Sequence, residues 1–433
     1  MDDIVAVLPP LLQSLEALSF IARHLNPPDF GQVMEAAGAP DQALRAVRAR
    51  LTEWPEQFSD VRVPLERASQ AVLAAFEGLR AVQHGNGDLV SVFRALRHAP
   101  RAQEALYPLA ARLPPVSQFF VDPPLREDAA LLARLAEPSR ENTGIVHDHN
   151  EPGSRGGFSL YVPEYCTPER AWPLVMALHG GSGHGRGFLW SWLRDARSFG
   201  AILVAPTATG GASNKSTWAL MGEDTDTPNL VRILDLVRGR FNIDPTKLLL
   251  TGMSDGGTFC YVSGLESTSP FTHLAPVSAT FHPLMAEMAD AERLEGLPVH
   301  IVHGRLDWMF PAQIARQTRH LLIGGGRRRH LSRARRSQPL LSARDERRDF
   351  EMAKRRMIGQ SAAPRTPLTG RISSVRPRRE QVGKADAMQH LAADAVDHRE
   401  GDVGAILRRI NMNAEWPLAE RRVDNADNGV GDQ

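Results

Sequence analysis

The stretch LLLTGMSDGG, residues 248–257, contains the most informative pattern in this 433-residue chain. Its apolar start predicts the end of a buried strand, and the residues that follow it have helical spacing. Residues 252–256 have the spacing G-x-S-x-G, with Ser254 at the centre, and the glycines permit a tight strand-to-helix turn. Such a turn lifts the serine hydroxyl above the sheet edge, at the positive end of the helix. The alternative is an ordinary turn without chemistry.

The segment around this stretch, residues 145–326, alternates short apolar runs with helical patterns. The runs include WPLVMALHG (172–180), AILVAPTA (201–208) and LPVHIVHG (297–304), and helical stretches such as FLWSWLRDARSF (188–199) separate them. Strands that are apolar throughout and separated by helices indicate a mainly parallel sheet covered on both faces. The segment is therefore predicted to form an α/β core.

A second motif, LHGGSGHG (178–185), directly follows one of these predicted strands. Acyl transfer needs hydrogen-bond donors aimed at the oxyanion that forms on the reacting carbonyl. The backbone N–H groups of Gly181 and of Asp255, the residue after the serine, are assigned as these donors. The alternative is a glycine-rich loop without a role. A phosphate-binding loop is disfavoured, because neither G-x-G-x-x-G nor a P-loop lysine is present.

A carboxylate follows the last apolar run, in VHIVHGRLDWMFP (299–311). Asp307 stands where the acid of a Ser-His-Asp triad would orient a histidine. The order of Ser254 before Asp307 is the order that accompanies a serine on a strand-to-helix elbow. The alternative is a loop residue that caps the helix beginning near Pro311.

Composition and charge restrict the class of protein. With 42% apolar residues, 23% charged residues and a net charge of +1, the chain resembles a soluble globular protein and gives no reason to expect nucleic-acid or membrane attraction. Its two cysteines, Cys166 and Cys260, exclude a disulfide framework and favour a reducing compartment, so a cytoplasmic location is expected. The acidic start lacks the basic region of a secretory signal, and no apolar run approaches the roughly 20 residues of a membrane span.

The region before the α/β core, residues 1–140, has helical patterns throughout. In PLERASQAVLAAFEGLRAV (64–82), for example, apolar residues recur at the i, i+3, i+4 and i+7 positions of one helical face. Proline, glycine and asparagine clusters separate these stretches. The region is predicted to be an all-helical accessory domain, and it contains no metal-ligand cluster.

Residues 158–322 resemble the α/β-hydrolase fold, and within it the esterases grouped with phospholipase/carboxylesterase and polyhydroxybutyrate-depolymerase-like hydrolases. The resemblance is carried by HGGSGHG, TGMSDGG, LAPVSA and HGRLDWMFP, which lie in less than half of the chain. It implies serine ester hydrolysis through an acyl-enzyme, without a cofactor or metal, on a small-molecule or oligomeric ester. Ser254 would attack, Asp307 would orient a histidine, and Gly181 and Asp255 would hold the oxyanion.

The histidine that this resemblance requires has no evident position. The fold closes with one more strand, a loop bearing the general-base histidine and a final helix, but no strand pattern follows RHLLIGGG (319–326). His320 and His330 are nearby, and neither has the expected context. A serine hydroxyl without a base is a poor nucleophile near neutral pH. The core is therefore predicted to lack its last strand, and the activity to be impaired.

The last section, residues 327–433, is rich in arginine and is predicted to be a disordered tail translated out of frame. When the codons of residues 328–353 are read from their second base, they permit an alternating strand, a DLSH loop and a closing amphipathic helix. The alternative is a basic arm that binds nucleic acid, since residues 324–358 contain twelve Lys or Arg against four Asp or Glu. No nucleic-acid-binding motif accompanies these charges, and no nucleic-acid partner is expected.

Two functions of different classes remain open at this point. The first is a serine esterase, impaired in this copy by the missing base. The second is a non-catalytic binding or scaffold protein that uses the helical domain of residues 1–140. A lyase or thioesterase on the same fold is a further possibility, since one fold supports several chemistries.

We expect a new reading of the coding DNA across codons 318–356 to reveal a single inserted or deleted base. The corrected frame would then encode the closing strand and a histidine in a DLSH loop. Independent sequencing of both strands makes the measurement. An unchanged reading would mean that the chain has lost its last strand and its base.

Overall fold

The computed structural model of the chain describes residues 2–85, 87–210, 217–220 and 222–323. The tail predicted over residues 327–433, with His330 and any closing strand, lies outside the described residues. The described residues include Ser254, Asp307 and the glycine-rich loop of residues 178–185.

Helices form the described chain up to residue 136, as their apolar spacing predicted. The pattern of residues 64–82 lies within the longest of them, α4, which buries one apolar face that includes Leu65, Val72 and Phe76. Short 3₁₀ turns join several of the helices. The helices are α1 (Asp2–Arg23), α2 (Phe30–Ala37), α3 (Pro40–Val47), α4 (Ser59–Gln83), α5 (Leu89–Leu96), α6 (His98–Leu106), α7 (Pro114–Phe119) and α8 (Ala129–Ala136).

Helix α1 has a property that the sequence patterns did not suggest. By length and composition, its segment Ile4–Arg23 could cross a membrane. In the fold, however, Leu11 and Leu15 on one face of α1 are fully buried against the other helices. Glu16, on the same helix, pairs with Arg126 at 2.6 Å and with Arg194 at 3.0 Å. These contacts pack α1 as a core helix of the structure.

Strands and helices alternate after residue 144, as the apolar runs predicted. Residues 313–323 form a further helix at the end of the described chain. The strands are β1 (Gly144–Asp148), β2 (Phe158–Val162), β3 (Trp172–Leu178), β4 (Ile202–Pro206), β5 (Ile243–Met253) and β6 (His273–Val277). The helices are α9 (Gly185–Phe199), α10 (Asp226–Arg238), α11 (Asp255–Gly264), α12 (Pro283–Met288) and α13 (Ala291–Gly296).

The strands form one sheet in the order β1-β2-β4-β3-β5-β6. The pairs β1–β2 and β2–β4 are antiparallel, and the pairs β4–β3, β3–β5 and β5–β6 are parallel. Beyond β6, two parallel bridges join Val299 to Leu274 and Val302 to Val277, so this stretch occupies the next strand position. The predicted mainly parallel α/β-hydrolase core is confirmed.

The two faces of the sheet are covered by different layers, because successive side chains of a strand point to opposite faces. Val175 and Ala177 of β3 belong to one buried cluster, together with side chains of α9 and of the N-terminal helices. Leu174 and Met176 belong to the cluster on the other face, with side chains of α10 and α11. The N-terminal helices therefore share a continuous core with the sheet. The division into domains at residues 1–140 and 145–326 stays a prediction.

A buried ion pair joins the N-terminal helices to the sheet. Glu164, just after β2, contacts Arg197 of α9 at 2.8 Å, and their side chains are only 10% and 1% exposed. From the N-terminal helices, the Tyr107 hydroxyl donates to Glu164 at 2.8 Å. Ser117 accepts from Arg197 at its carbonyl (2.7 Å) and at its hydroxyl (3.0 Å). The Tyr161 hydroxyl of β2 donates to the second carboxylate oxygen at 2.8 Å.

These hydrogen bonds compensate for the free-energy cost of burying the two charges. Removing an ion from water costs several kcal/mol, and the attraction between the charges compensates for this only when the remaining polar atoms are also satisfied. Burial, together with the Glu164 charge, raises the pKa of Tyr107 and of Tyr161 well above its ordinary value. Both phenols therefore remain neutral donors at physiological pH.

We expect Arg197→Met to lower the free energy of unfolding by about 3–5 kcal/mol, because Glu164 would remain buried without its counter-charge. Arg112→Met is the control, since Arg112 and its partner Asp60 are 58% and 55% exposed, and an exposed pair contributes about 1 kcal/mol or less. Urea denaturation of the two variants and the native chain makes the comparison. Equal losses in both variants would contradict a central role for the buried pair.

Candidate active site

Ser254 lies at the sharp turn between β5 and α11. Its backbone angles are φ 56° and ψ −119°, a conformation that costs a residue with a side chain on the order of 1–3 kcal/mol. The Ser254 N–H donates to the Val277 carbonyl of β6 at 2.9 Å, and the Ser254 carbonyl accepts the Thr258 N–H at 2.8 Å. The strained residue is therefore held from both sides, at the N-terminus of a ten-residue helix.

The glycines of the motif permit the close packing that this turn requires. A Cβ atom added at Gly256 would lie 2.4 Å from the Leu178 carbonyl oxygen and 2.5 Å from that of His179. One added at Gly252 would lie 2.6 Å from the backbone of Gly256. These neighbours are backbone atoms, which leave no room for any side chain. Helix α11 therefore begins directly against the end of β3, and the loop after β3 lies beside the serine.

That loop meets the elbow at two glycines. A Cβ atom added at Gly180 would lie 3.6 Å from the Cβ of Ser254, and one added at Gly181 would lie 2.6 Å from the Asp255 Oδ2. The structure thus brings together three of the four residues that the sequence singled out, Ser254, Gly181 and Asp255. The assignment of the Gly181 and Asp255 N–H groups as oxyanion donors stays a prediction.

His179 fixes the beginning of the glycine loop from inside the core. Its Nε2 accepts the Ala208 N–H at 3.1 Å, and its Nδ1 lies 2.8 Å from the Gly180 carbonyl. This pattern requires the neutral ring, with the proton on Nδ1. Burial lowers the pKa of His179 to about 4. The Trp218 indole N–H donates to the His179 carbonyl at 2.7 Å, and the two rings are tilted by 39° with their centroids 5.0 Å apart.

The loop that carries Trp218 is itself held by a buried carboxylate. Asp226, at the start of α10, accepts the Thr209 N–H at 2.7 Å and the Ala219 N–H at 2.8 Å. The Thr217 hydroxyl donates to Asp255 Oδ2 at 3.0 Å. Sequence reasoning missed Asp226, because its only local signal is that of an acidic residue in a first helical turn.

Asp307 lies at the carboxyl end of the strands, as Ser254 does. It follows the stretch that occupies the strand position next to β6. Its Oδ1 accepts the N–H groups of Met309 (2.9 Å) and Phe310 (2.8 Å), which lie in its own loop, before the helix 313–323. Its Oδ2 lies 3.6 Å from the Nε2 of His303, and that nitrogen is 2.7 Å from the Phe310 carbonyl. One oxygen therefore holds the loop, and the other faces a histidine that has a different partner.

No histidine of the described residues forms a hydrogen bond with Ser254. His303 is held by Phe310 and Asp307. His320 lies on the exposed side of the helix 313–323 and contacts neither Ser254 nor Asp307 through a hydrogen bond or ion pair within the described part of the chain. The described residues thus bring Ser254 together with Gly181 and Asp255. Within this part of the chain no hydrogen bond or ion pair joins Asp307 to these three residues.

The buried His179 makes stability depend on pH. Its pKa is about 4 in the folded chain against an ordinary value of 6.5, so the unfolded chain binds a proton more readily between these values. Stability is therefore lost as the pH falls below 6.5, by about 2 kcal/mol at pH 4.5. Urea denaturation at pH 7 and pH 4.5 should show a smaller loss in His179→Gln than in the native chain. The same loss in both proteins would contradict a buried neutral ring.

Comparison with known proteins gives partial relatives. No model of a known protein family matches the chain. The chain is 29% identical over 167 residues to the bifunctional acetylxylan esterase/xylanase XynS20E of Neocallimastix patriciarum, covering 37% of this chain and 23% of that protein. It is 27% identical over 143 residues to the poly(3-hydroxybutyrate) depolymerase of Ralstonia pickettii, covering 29% of each. The chain thus spans less than a third of the length of either relative.

Solved structures with partial similarity include a thermostable esterase, with 20% identity and a TM-score of 0.31 over 42% of this chain and 52% of that one. Another is the acetyl xylan esterase from Aspergillus awamori, with 15% identity and a TM-score of 0.32 over 40% of this chain and 76% of that one. TM-scores this low do not support a functional assignment. The strand order and the serine elbow are those expected for the α/β-hydrolase fold, and the chain is similar in sequence to parts of two ester hydrolases.

Proposed function

We propose that the chain is a serine hydrolase that acts on carboxylic esters through an acyl-enzyme. The observation that carries the proposal is the strained Ser254 at the N-terminus of α11, directly beside the glycine loop. A strained backbone at an exposed edge is maintained only where the surroundings impose it, and such residues cluster at functional sites. The names of the two relatives, an acetylxylan esterase and a polyester depolymerase, support an ester as the bond that is cleaved.

In the proposed reaction, the Ser254 hydroxyl attacks the ester carbonyl carbon, and the carbonyl oxygen becomes an oxyanion. The N–H groups of Gly181 and Asp255 donate to that oxyanion. The serine proton passes through a general base to the leaving alcohol, and an acyl-enzyme forms. Water then attacks the acyl group, which releases the acid and restores Ser254. The N-terminus of α11 favours the negative charge at this position.

Asp307 is the proposed acid of the triad. Asp307 Oδ2 is the oxygen available to orient a histidine, because Oδ1 already accepts two backbone N–H groups. The histidine itself is not among the described residues that contact Ser254. We retain the frameshift hypothesis, in which the chain has lost this base. An enzyme that lacks one triad member still accelerates the reaction by roughly 10³–10⁴-fold over water.

The proposed substrate is a short acyl ester or an oligomeric ester. Large apolar side chains are exposed near the site, on Met253 before the nucleophile and on the loop that contains Asp307. Leu306, Trp308 and Met309 are the exposed residues of that loop. Apolar surface of this kind suits the acyl chain or a repeating ester backbone, since its burial would be favourable.

We also propose that the protein works in a reducing compartment, the cytoplasm. Cys166 and Cys260 are both buried and both unpaired. Burial raises the pKa of the Cys166 thiol to about 11 and that of Cys260 well above its ordinary value. Two thiols kept protonated in the core are stable in such a compartment and contribute as apolar groups.

We expect dissolved imidazole to accelerate the hydrolysis of p-nitrophenyl acetate by this chain, through Ser254. A positioned general base contributes about 10²–10⁴-fold, and a dissolved base that is not held in place should recover a part of this, roughly tenfold. Ser254→Ala is the control, because imidazole also cleaves the ester directly in solution. The measurement is the slope of the rate against imidazole concentration for both proteins.

Two outcomes would contradict parts of the proposal. Equal slopes for the native chain and Ser254→Ala would show that Ser254 is not the nucleophile. A fast rate without imidazole that disappears in Ser254→Ala would support the serine mechanism and refute the missing base.

A further inference from the structure

The N-terminal helices reach the glycine loop beside Ser254. Arg97, between α5 and α6, donates from Nη2 to the carbonyl oxygen of Ser182 at 2.9 Å, across 85 residues of sequence. Ser182 directly follows Gly181, the residue assigned as an oxyanion donor. A hydrogen bond from a different layer of the fold therefore ends on the loop that would hold the oxyanion.

The backbone of the loop is strained at Ser182, the residue that Arg97 contacts. Ser182 has φ 58°, a left-handed conformation that serine adopts rarely. The Gly183 N–H donates to the Gly180 carbonyl at 2.9 Å, which closes a tight turn around Gly181 and Ser182. Rotation of the peptide after Ser182 would relax the turn. Because the turn includes Gly181, its relaxation would change the backbone conformation at Gly181.

A second contact fixes the residues that follow the loop. Arg186, in the first turn of α9, donates from Nε to both carboxylate oxygens of Glu104 in α6, at 3.0 and 3.1 Å. Pro100 of the same helix lies against Gly187, 3.9 Å from the position of an added Cβ. Helix α6 is thus docked on the start of α9, which holds Arg97 in reach of Ser182.

Other residues hold the two ends of the loop from the α/β core. His179, Ala208 and Trp218 fix the beginning of the loop, up to the Gly180 carbonyl. The Thr207 hydroxyl accepts the Gly185 N–H at 2.9 Å and so holds the end of the loop. Arg97 contacts the middle of the loop, at the Ser182 carbonyl. The loop is therefore fixed at both ends by the α/β core and in the middle, at Ser182, by the N-terminal helices.

We propose that Arg97 is a positioning residue for the oxyanion hole, and that the N-terminal helices are thereby a working part of the catalytic site. This inference rests on the proposed function. Arg97 and Ser182 are both exposed, so their hydrogen bond contributes little to global stability. Its effect is local, on the orientation of the Gly181 N–H, and so on the transition state rather than on substrate binding.

The test compares Arg97→Ala with Arg97→Lys and with Arg94→Ala, a control at an exposed arginine of α5 one turn earlier. The Ser254-dependent hydrolysis of p-nitrophenyl acetate, with imidazole present, gives kcat and KM. We expect Arg97→Ala to lower kcat roughly tenfold, less than the ~10²–10³-fold for losing a donor outright. KM should change by less than about twofold. Lysine, which can also donate, should restore most of the rate.

Amide hydrogen exchange of the peptide covering residues 179–184 gives a readout besides activity. It should be faster in Arg97→Ala than in the native chain and in Arg94→Ala, while the thermal midpoint stays unchanged. A Ser254-dependent rate that Arg97→Ala leaves intact would overturn the role of Arg97 alone. The absence of any Ser254-dependent rate in the native chain would overturn the proposed function and the role of Arg97 together.

Discussion

Helix α11 begins so close to the end of β3 that Gly256 has no room for a side chain, since an added Cβ would lie 2.4 Å from the Leu178 carbonyl. The rest of the site depends on this contact. It places the loop after β3 beside Ser254, and it aligns the helix N-terminus with the position where charge would develop. The strain at Ser254 is stable here because β6 and the first turn of α11 hold its two peptide groups.

The site is supported from both faces of the sheet. On one face, the loop with Trp218 is held to α10 by Asp226 and fixes His179. On the other face, α6 and the turn before it contact the glycine loop and α9. The buried pair of Glu164 and Arg197 connects this second layer to the sheet. The helical region thus shares both its apolar core and its polar contacts with the sheet.

The described residues do not place a general base in contact with Ser254. Ser254 and Asp255, the proposed nucleophile and one proposed oxyanion donor, lie together on one strand, turn and helix. Gly181, the other proposed donor, reaches them from the loop after β3. A general base has to come from a distant part of the chain and meet the serine through tertiary packing. Asp307 illustrates the difference, because one of its oxygens serves its own loop and only the other remains for a partner.

The sequence by itself determined the α/β class, the elbow at Ser254 and the glycine loop, because apolar periodicity and glycine spacing are local properties that a few residues express. It also indicated the helices before residue 140, but not how α1 is used, since the composition of a core helix and of a membrane span can be the same. Only the tertiary structure decided the pairing of Glu164 with Arg197 and of Arg97 with Ser182. Polar partners this far apart in sequence leave no periodic signal, and their meeting depends on how whole helices pack on the sheet.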